Sequence, residues 1–327
     1  MVATGQNSLD AQEPDPSKHS ESGQTESNQS KFNIPTPTMG GKQLWTDWIY
    51  QHGYRIQQNV LTGHYRLLSP QDFRLAWGTK AACKKRLDST LQDKSLGPMT
   101  GRVVIVLHGL TRTRGAMTLL ENHIQQNSDI QVANIGYAST RTSIDEHARA
   151  LASVIEHMPG VDEISFLGHS MGNIVVRYYL GTINPESDPR FHRMVMLGPP
   201  NHGSRLASVL KDNLIFKTFW GTAGQQLSER GWDDTSKQLA TPSFEFGVIA
   251  GASPESSYIE NPWIEGDNDL VVTVDEARLI GGTDFYQQDL WHSTMMRDES
   301  VLMAALTFLE HGYFVSEADR KPIKEQP

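Results

Sequence analysis

The sequence predicts an α/β fold built on a doubly wound, mostly parallel sheet, and three observations predict it. From residue 102 onward, short apolar runs alternate with segments of helical periodicity, as parallel strands joined by crossover helices require. The run Val103-Val104-Ile105-Val106-Leu107 is apolar at every position, as a strand covered by helices on both faces must be. The third observation is Gly168-His169-Ser170-Met171-Gly172, a glycine-framed serine between a short apolar run and an amphipathic segment.

The elements follow in order. Residues 1–40 are rich in Ser, Gln, Asn, Glu and Pro, with too little apolar surface to offset the entropy of ordering, and read as a disordered polar tail. Residues 41–98 read as a small N-terminal segment. In it Tyr54-Arg55-Ile56-Gln57 and His64-Tyr65-Arg66-Leu67-Leu68 flank the turn Leu61-Thr62-Gly63 as a hairpin, Phe73-Arg74-Leu75-Ala76-Trp77 adds a third strand, and residues 80–91 are helical. Such a segment is either an antiparallel edge of the main sheet or a small packed appendage. Residues 99–316 carry the main domain, and 317–327 form a polar C-terminal tail. Within the main domain, strands are expected at 130–137, 164–167, 194–197, 244–250 and 285–290. Ser143 and Glu146 have capping-box spacing at the start of a helix running to about His157, and a second helix follows at 171–180.

Composition narrows the function classes. A chain of 327 residues, 38% hydrophobic and 20% charged, can bury one large core or two modest ones. The formal net charge of −9, with no long Lys/Arg run, disfavours a nucleic-acid partner. Cys83 is the one cysteine, so no intrachain disulfide forms. No stretch has signal-peptide character, and none approaches the roughly 18 apolar residues of a membrane span, so a soluble cytoplasmic protein is the expectation.

The glycine-framed serine carries chemistry as well as topology. A turn that tight leaves no room for side chains beside Ser170 and places its hydroxyl at a helix N-terminus, where backbone N–H groups favour developing negative charge. Two such donors are needed for a tetrahedral oxyanion. One is the N–H of Met171; the other is assigned to the N–H of Leu110, in the His108-Gly109-Leu110 loop that ends the first apolar strand. A serine nucleophile also needs a base. Of twelve histidines, His292 and His311 follow the last expected strand; His292 lies on a loop free to fold over the sheet edge, whereas His311 reads as a helix C-cap residue. His108 and His169 flank the site in turns suited to packing. Among Asp267, Asp269, Asp275, Asp284 and Asp289, Asp269 is preferred as the orienting acid because it leads directly into Leu270-Val271-Val272, with Asp267 the alternative.

On Leu107-His108-Gly109-Leu110, Gly168-His169-Ser170-Met171-Gly172, Leu197-Gly198-Pro199-Pro200-Asn201-His202-Gly203-Ser204, Asn268-Asp269-Leu270-Val271-Val272 and His292, residues 101–314 resemble the bacterial lipase/esterase branch of the α/β-hydrolase superfamily. The resemblance implies cleavage of carboxylic esters through an acyl-enzyme on Ser170, with His292 as base and Asp269 holding its tautomer. It also implies that no metal or organic cofactor takes part. Such lipases carry a glycine where Leu270 stands here, and Ser204 reads as structural.

The substrate would be a small-molecule or lipid ester. Residues 205–241 fall where these folds insert a lid, and Leu206, Val209, Leu210, Leu214, Ile215, Phe216, Phe219 and Trp220 suit either an acyl pocket or a helical excursion of the core. Arg112, Arg114 and Arg141 could form a rim that selects anionic esters. The same triad also serves acyltransferases, amidases and thioesterases, and a non-catalytic scaffold is a further alternative.

Overall fold

The computed structural model describes residues 1, 36–37, 43–183, 188–203, 222–227, 229–252 and 267–324, and in them the chain builds two sheets. Both lie within one compact unit, Ile34–Pro327. The first sheet is antiparallel, in the order β1-β5-β4-β3-β2, from β1 (Thr36–Pro37), β2 (Trp45–Gln51), β3 (Tyr54–Asn59), β4 (Tyr65–Leu68) and β5 (Phe73–Gly78). The β3–β4 hairpin is tied by Asn59, whose side-chain oxygen accepts the N–H groups of Leu61 and Thr62, each at 3.0 Å. Helix α1 (Lys80–Asp93) closes this sheet over a small core of Ile49, Ile56, Leu67, Cys83 and Leu87. Burial pushes the Cys83 thiol up to about 11, which leaves it unreactive at neutral pH.

Residues 41–98 therefore contribute a sheet of their own and not an edge of the main one. Strand β2 is an addition to the sequence reading. Its alternation is broken by a register shift between Asp47 and Ile49, and both of its faces are largely buried, so no period-two pattern marks it. Within the stretch expected to be an unordered tail, Thr36 and Pro37 pair with Arg74 and Phe73.

The second sheet is parallel throughout, in the order β11-β10-β9-β8-β6-β7. Its strands are β6 (Gly101–Leu107), β7 (Gln131–Ile135), β8 (Val161–His169), β9 (Phe191–Leu197), β10 (Glu245–Gly251) and β11 (Asp284–Gln288). Strand β6 shows why every position of its run is apolar. Val103, Ile105 and Leu107 face one core with Leu151, Phe166 and Ile174, while Val104 and Val106 face the other with Leu120, Leu167 and Phe308. Helices α2 (Thr118–Asn127), α3 (Ile144–Glu156) and α4 (Met171–Thr182), together with a C-terminal helix Glu299–His311, cover those faces.

The chain runs from β6 outward to β7 and then returns to place β8 on the other side of β6. The direction of winding reverses between β6 and β8, and the crevice outside the carboxyl ends of such strands is where ligands bind in open α/β sheets. Two local expectations differ from what is observed. Ser143 is the N-cap of α3 but makes no bond to its first-turn N–H groups; its hydroxyl is drawn to Asp145, and Gln226 Oε1 accepts the Ile144 N–H at 2.8 Å. Within residues 317–324, expected as part of a polar tail, Ile323 is buried and exchanges backbone bonds with Gly281 and Gly282, while most of its neighbours are exposed.

Candidate active site

Strand β8 ends at His169 and α4 begins at Met171, so Ser170 alone turns the chain. It does so at φ 53° and ψ −123°, a left-handed conformation that costs a non-glycine residue on the order of 1–3 kcal/mol. The surroundings hold it there: Ser170 N–H donates to Leu197 O at 2.8 Å, and Asn173 Nδ2 donates to Ser170 O at 3.1 Å. The framing glycines answer to packing. A Cβ on Gly172 would stand 2.6 Å from the Leu107 carbonyl oxygen, and one on Gly168 would overlap the Asn173 side chain. These contacts bring α4 down onto β6, beside the loop that follows it.

That loop is a four-residue turn. Arg112 N–H donates to Gly109 O at 3.2 Å, with Thr111 at φ 61° in the position that type II turns reserve for left-handed residues. The Leu110 N–H has no hydrogen-bond partner among the described residues. Met171, as the first residue of α4, has its N–H outside the intrahelical ladder.

Across the sheet edge, His292 Nδ1 donates to Asp269 Oδ2 at 2.6 Å, and the aspartate side chain is 1% exposed. The other carboxylate oxygen accepts the N–H groups of Val271 and Val272 at 3.0 and 2.8 Å, so the carboxylate also shapes its own turn. Leu270, in that turn, is held at φ 77°, the left-handed region where the resembled family has its glycine. Two further bonds fix the histidine's backbone: His292 N–H to Asp269 O at 3.0 Å, and His169 Nε2–H to His292 O at 3.0 Å. Burial, followed by the neighbouring His292, holds the His169 imidazole well below the ordinary histidine range, so it donates as a neutral ring.

Ser170, His292, Asp269, Gly109 and Leu110 line one cavity of about 250 Å³, whose walls include Leu227, Val271, Val272 and Trp291. The serine hydroxyl and the imidazole share this cavity without a direct hydrogen bond, a contact that in unliganded hydrolytic sites is often long. The arrangement supplies an alcohol on a strained turn and an imidazole with one nitrogen fixed by a buried carboxylate.

Residues 99–201 match the family model described as "Putative serine esterase (DUF676)". The described fold aligns with a Bacillus licheniformis lipase in its propeptide form at a TM-score of 0.50, with 18% identity, over 63% of this chain and 50% of that one. The strand order and this alignment together decide the fold. The chain folds as an α/β-hydrolase. The mature form of the same lipase aligns at a TM-score of 0.47 with 18% identity, over 64% of this chain and 89% of that one. A metagenomic carboxyl esterase aligns at 0.48 with 16% identity, over 61% and 67%. The chain thus spans about half the length of the propeptide-form lipase. No curated protein sequence matches it.

Within this fold the remaining candidates sort by position. Asp267, Asp275 and Asp289 are exposed. Asp284 is buried, but it starts β11 at the opposite end of the sheet, where its carboxylate accepts the N–H groups of Phe285, Phe314 and Lys321, each at 2.8 Å. Asp284→Ala would strand those donors; we expect a loss of about 3 kcal/mol in denaturant unfolding, with turnover per folded molecule unchanged. His311 is exposed at the end of its helix, stacked on Tyr313, and His108 is buried against Tyr137.

The three arginines are not assembled into one rim. Arg112 lines the cavity, whereas Arg114 is drawn aside by Asp72 at 3.1 Å and Arg141 is exposed outside the described lining. Ser204 and the eight apolar residues between 206 and 220 lie outside the described residues. Trp291 and Leu227 are cavity residues that the sequence did not single out; only the adjacency of Trp291 to His292 offered a signal. Among the described residues no cluster of three His, Cys, Asp or Glu side chains could hold a metal ion, and no helix is long and apolar enough to cross a membrane.

Proposed function

We propose that this protein is a serine esterase that hydrolyses carboxylic esters through an acyl-enzyme on Ser170. The observation that carries the reading is the 2.6 Å bond between buried Asp269 and His292, in the same cavity as a serine on a left-handed turn. His292 Nε2 takes the proton of the Ser170 hydroxyl as its oxygen attacks the ester carbonyl, and Asp269 stabilises the imidazolium that results. The N–H groups of Leu110 and Met171 bind the oxyanion. His292 then passes the proton to the leaving alcohol, and water, activated by the same imidazole, releases the acid. Every step is served by groups of this chain, so the reaction as proposed calls for no cofactor.

The apolar walls Leu227, Val271, Val272 and Trp291 suit an apolar acyl group, drawn from a small-molecule or lipid ester. Arg112, at the same cavity, favours esters carrying a negative charge near the scissile bond. The test is active-site labelling with a fluorophosphonate. The wild type is expected to be labelled with one equivalent and Ser170→Ala with none; label retained in Ser170→Ala would refute the nucleophile assignment. A panel of neutral and anionic p-nitrophenyl esters, read in wild type and Arg112→Ala, reports the charge preference.

A further inference from the structure

Several polar side chains join the N-terminal sheet to the parallel sheet, and Gln43 is the one that reaches the loop after β6. Gln43, just before β2, is held at φ 53°, and its amide spans the loops that leave the carboxyl ends of β6 and β7. Its Nε2 donates to Arg112 O at 2.7 Å and to Ser139 Oγ at 3.0 Å. Its Oε1 accepts from the Thr140 N–H at 3.1 Å and from the Thr140 hydroxyl at 2.9 Å. A side-chain amide is suited to this place, because one end must donate to a carbonyl while the other accepts from an N–H.

Arg112 closes the turn whose second residue, Leu110, lines the cavity. That turn holds Thr111 in a left-handed conformation and is fastened by one rather long bond, Arg112 N–H to Gly109 O at 3.2 Å. The base from which Gln43 reaches is itself fixed. Asp47 N–H donates to Gly136 O at 2.8 Å, Asp47 Oδ2 accepts the Gly136 N–H at 2.6 Å, and Thr46 Oγ1 accepts the Ala138 N–H at 3.2 Å. Asp47 is in turn held by Gln57 Nε2 at 2.7 Å, inside the N-terminal sheet.

We propose that Gln43 is a positioning residue for the oxyanion turn, through which the N-terminal sheet holds the Leu110 N–H on its target; this rests on the esterase reading above. A misplaced donor fails the transition state more than the ground state, because the full charge on oxygen exists only in the former. Removing the clamp therefore lowers kcat and leaves KM nearly alone.

The experiment compares Gln43→Leu, which keeps the volume and loses the bonds, with Gln43→Glu, which keeps the acceptor and loses the donor to Arg112. Steady-state hydrolysis of a p-nitrophenyl ester and the affinity of a trifluoromethyl ketone, which mimics the tetrahedral adduct, are measured for both. Each folded variant is expected to lose about tenfold or more in kcat, with KM within about twofold and trifluoromethyl ketone affinity falling in step with kcat/KM. Leu61→Ala, on the exposed hairpin turn of the same sheet, serves as the unchanged control. Unchanged kcat in either folded variant, or a loss borne by KM alone, overturns the proposal. Fluorophosphonate labelling of the wild type runs alongside: labelling with unaltered Gln43 kinetics overturns this inference alone, and no labelling removes both.

Discussion

Asp269→Asn is expected to lower kcat about 10⁴-fold while the protein melts within a few degrees of its parent. The two halves of that expectation come from the two oxygens of one carboxylate. Oδ1 accepts the Val271 and Val272 N–H groups, a task the asparagine oxygen performs equally well, so the turn and its neighbours stay in place. Oδ2 accepts from His292 Nδ1, and there asparagine presents an NH₂ donor instead. Nδ1 must then accept from that NH₂ with its lone pair, which leaves the ring proton on Nε2 facing Ser170, the wrong tautomer for a base. Replacing His292 by alanine removes the base itself and should cost about 10⁶-fold, and the double variant should fall no further, because the two side chains act as one unit. The measurements are kcat, KM and thermal melts on all three variants. A mild loss in Asp269→Asn, or additive losses in the double variant, would contradict the assigned roles.

Mild acid is expected to destabilise the fold sharply between pH 7 and 5. Burial pushes the His108 imidazole down to about 4 and that of His147 down to about 3, and holds His169 well below the ordinary range. In the unfolded chain each titrates near 6.5. The sign follows from proton counting: below 6.5 the unfolded chain binds protons that the native state refuses, so stability falls as pH falls. The contribution is complete above 6.5, and it drains away until the native-state values are reached. Each ring contributes on the order of 1 kcal/mol per pH unit in that window, so the three together should lower Tm by roughly 10 °C or more at pH 5. Ordinary carboxylates titrate lower, which makes the interval from 7 to 5 diagnostic for the histidines. Scanning calorimetry across that interval checks the slope, and His147→Gln should flatten it by about one proton. A Tm constant from pH 7 to 5 would mean the rings are solvated.

The sequence by itself determined the features that are local. The apolar run of β6 needed no tertiary information, because a strand buried on both faces has nowhere to place a polar side chain. The turn at Ser170 was equally legible from its framing glycines: a Cβ at Gly168 would meet Asn173 within the same turn, although the one at Gly172 is excluded by the Leu107 carbonyl of β6. The loop at Leu110 and the position of His292 after the last strand came from chain order along a parallel sheet. What the tertiary structure decided is non-local. Five aspartates were available, and the sequence preferred Asp269 for its lead into Leu270-Val271-Val272; that its carboxylate meets His292, while buried Asp284 lies at the opposite end of the sheet, is set by packing. Strand β2 was hidden because its neighbours, not its own alternation, bury both of its faces. Gln43 is one of many glutamines, and what distinguishes it is contact with Thr140, 97 residues away. Periodicity and turn chemistry act over a few residues at a time. The meeting of distant side chains is set by how whole elements pack, and a single chain records that only as the sum of all its contacts.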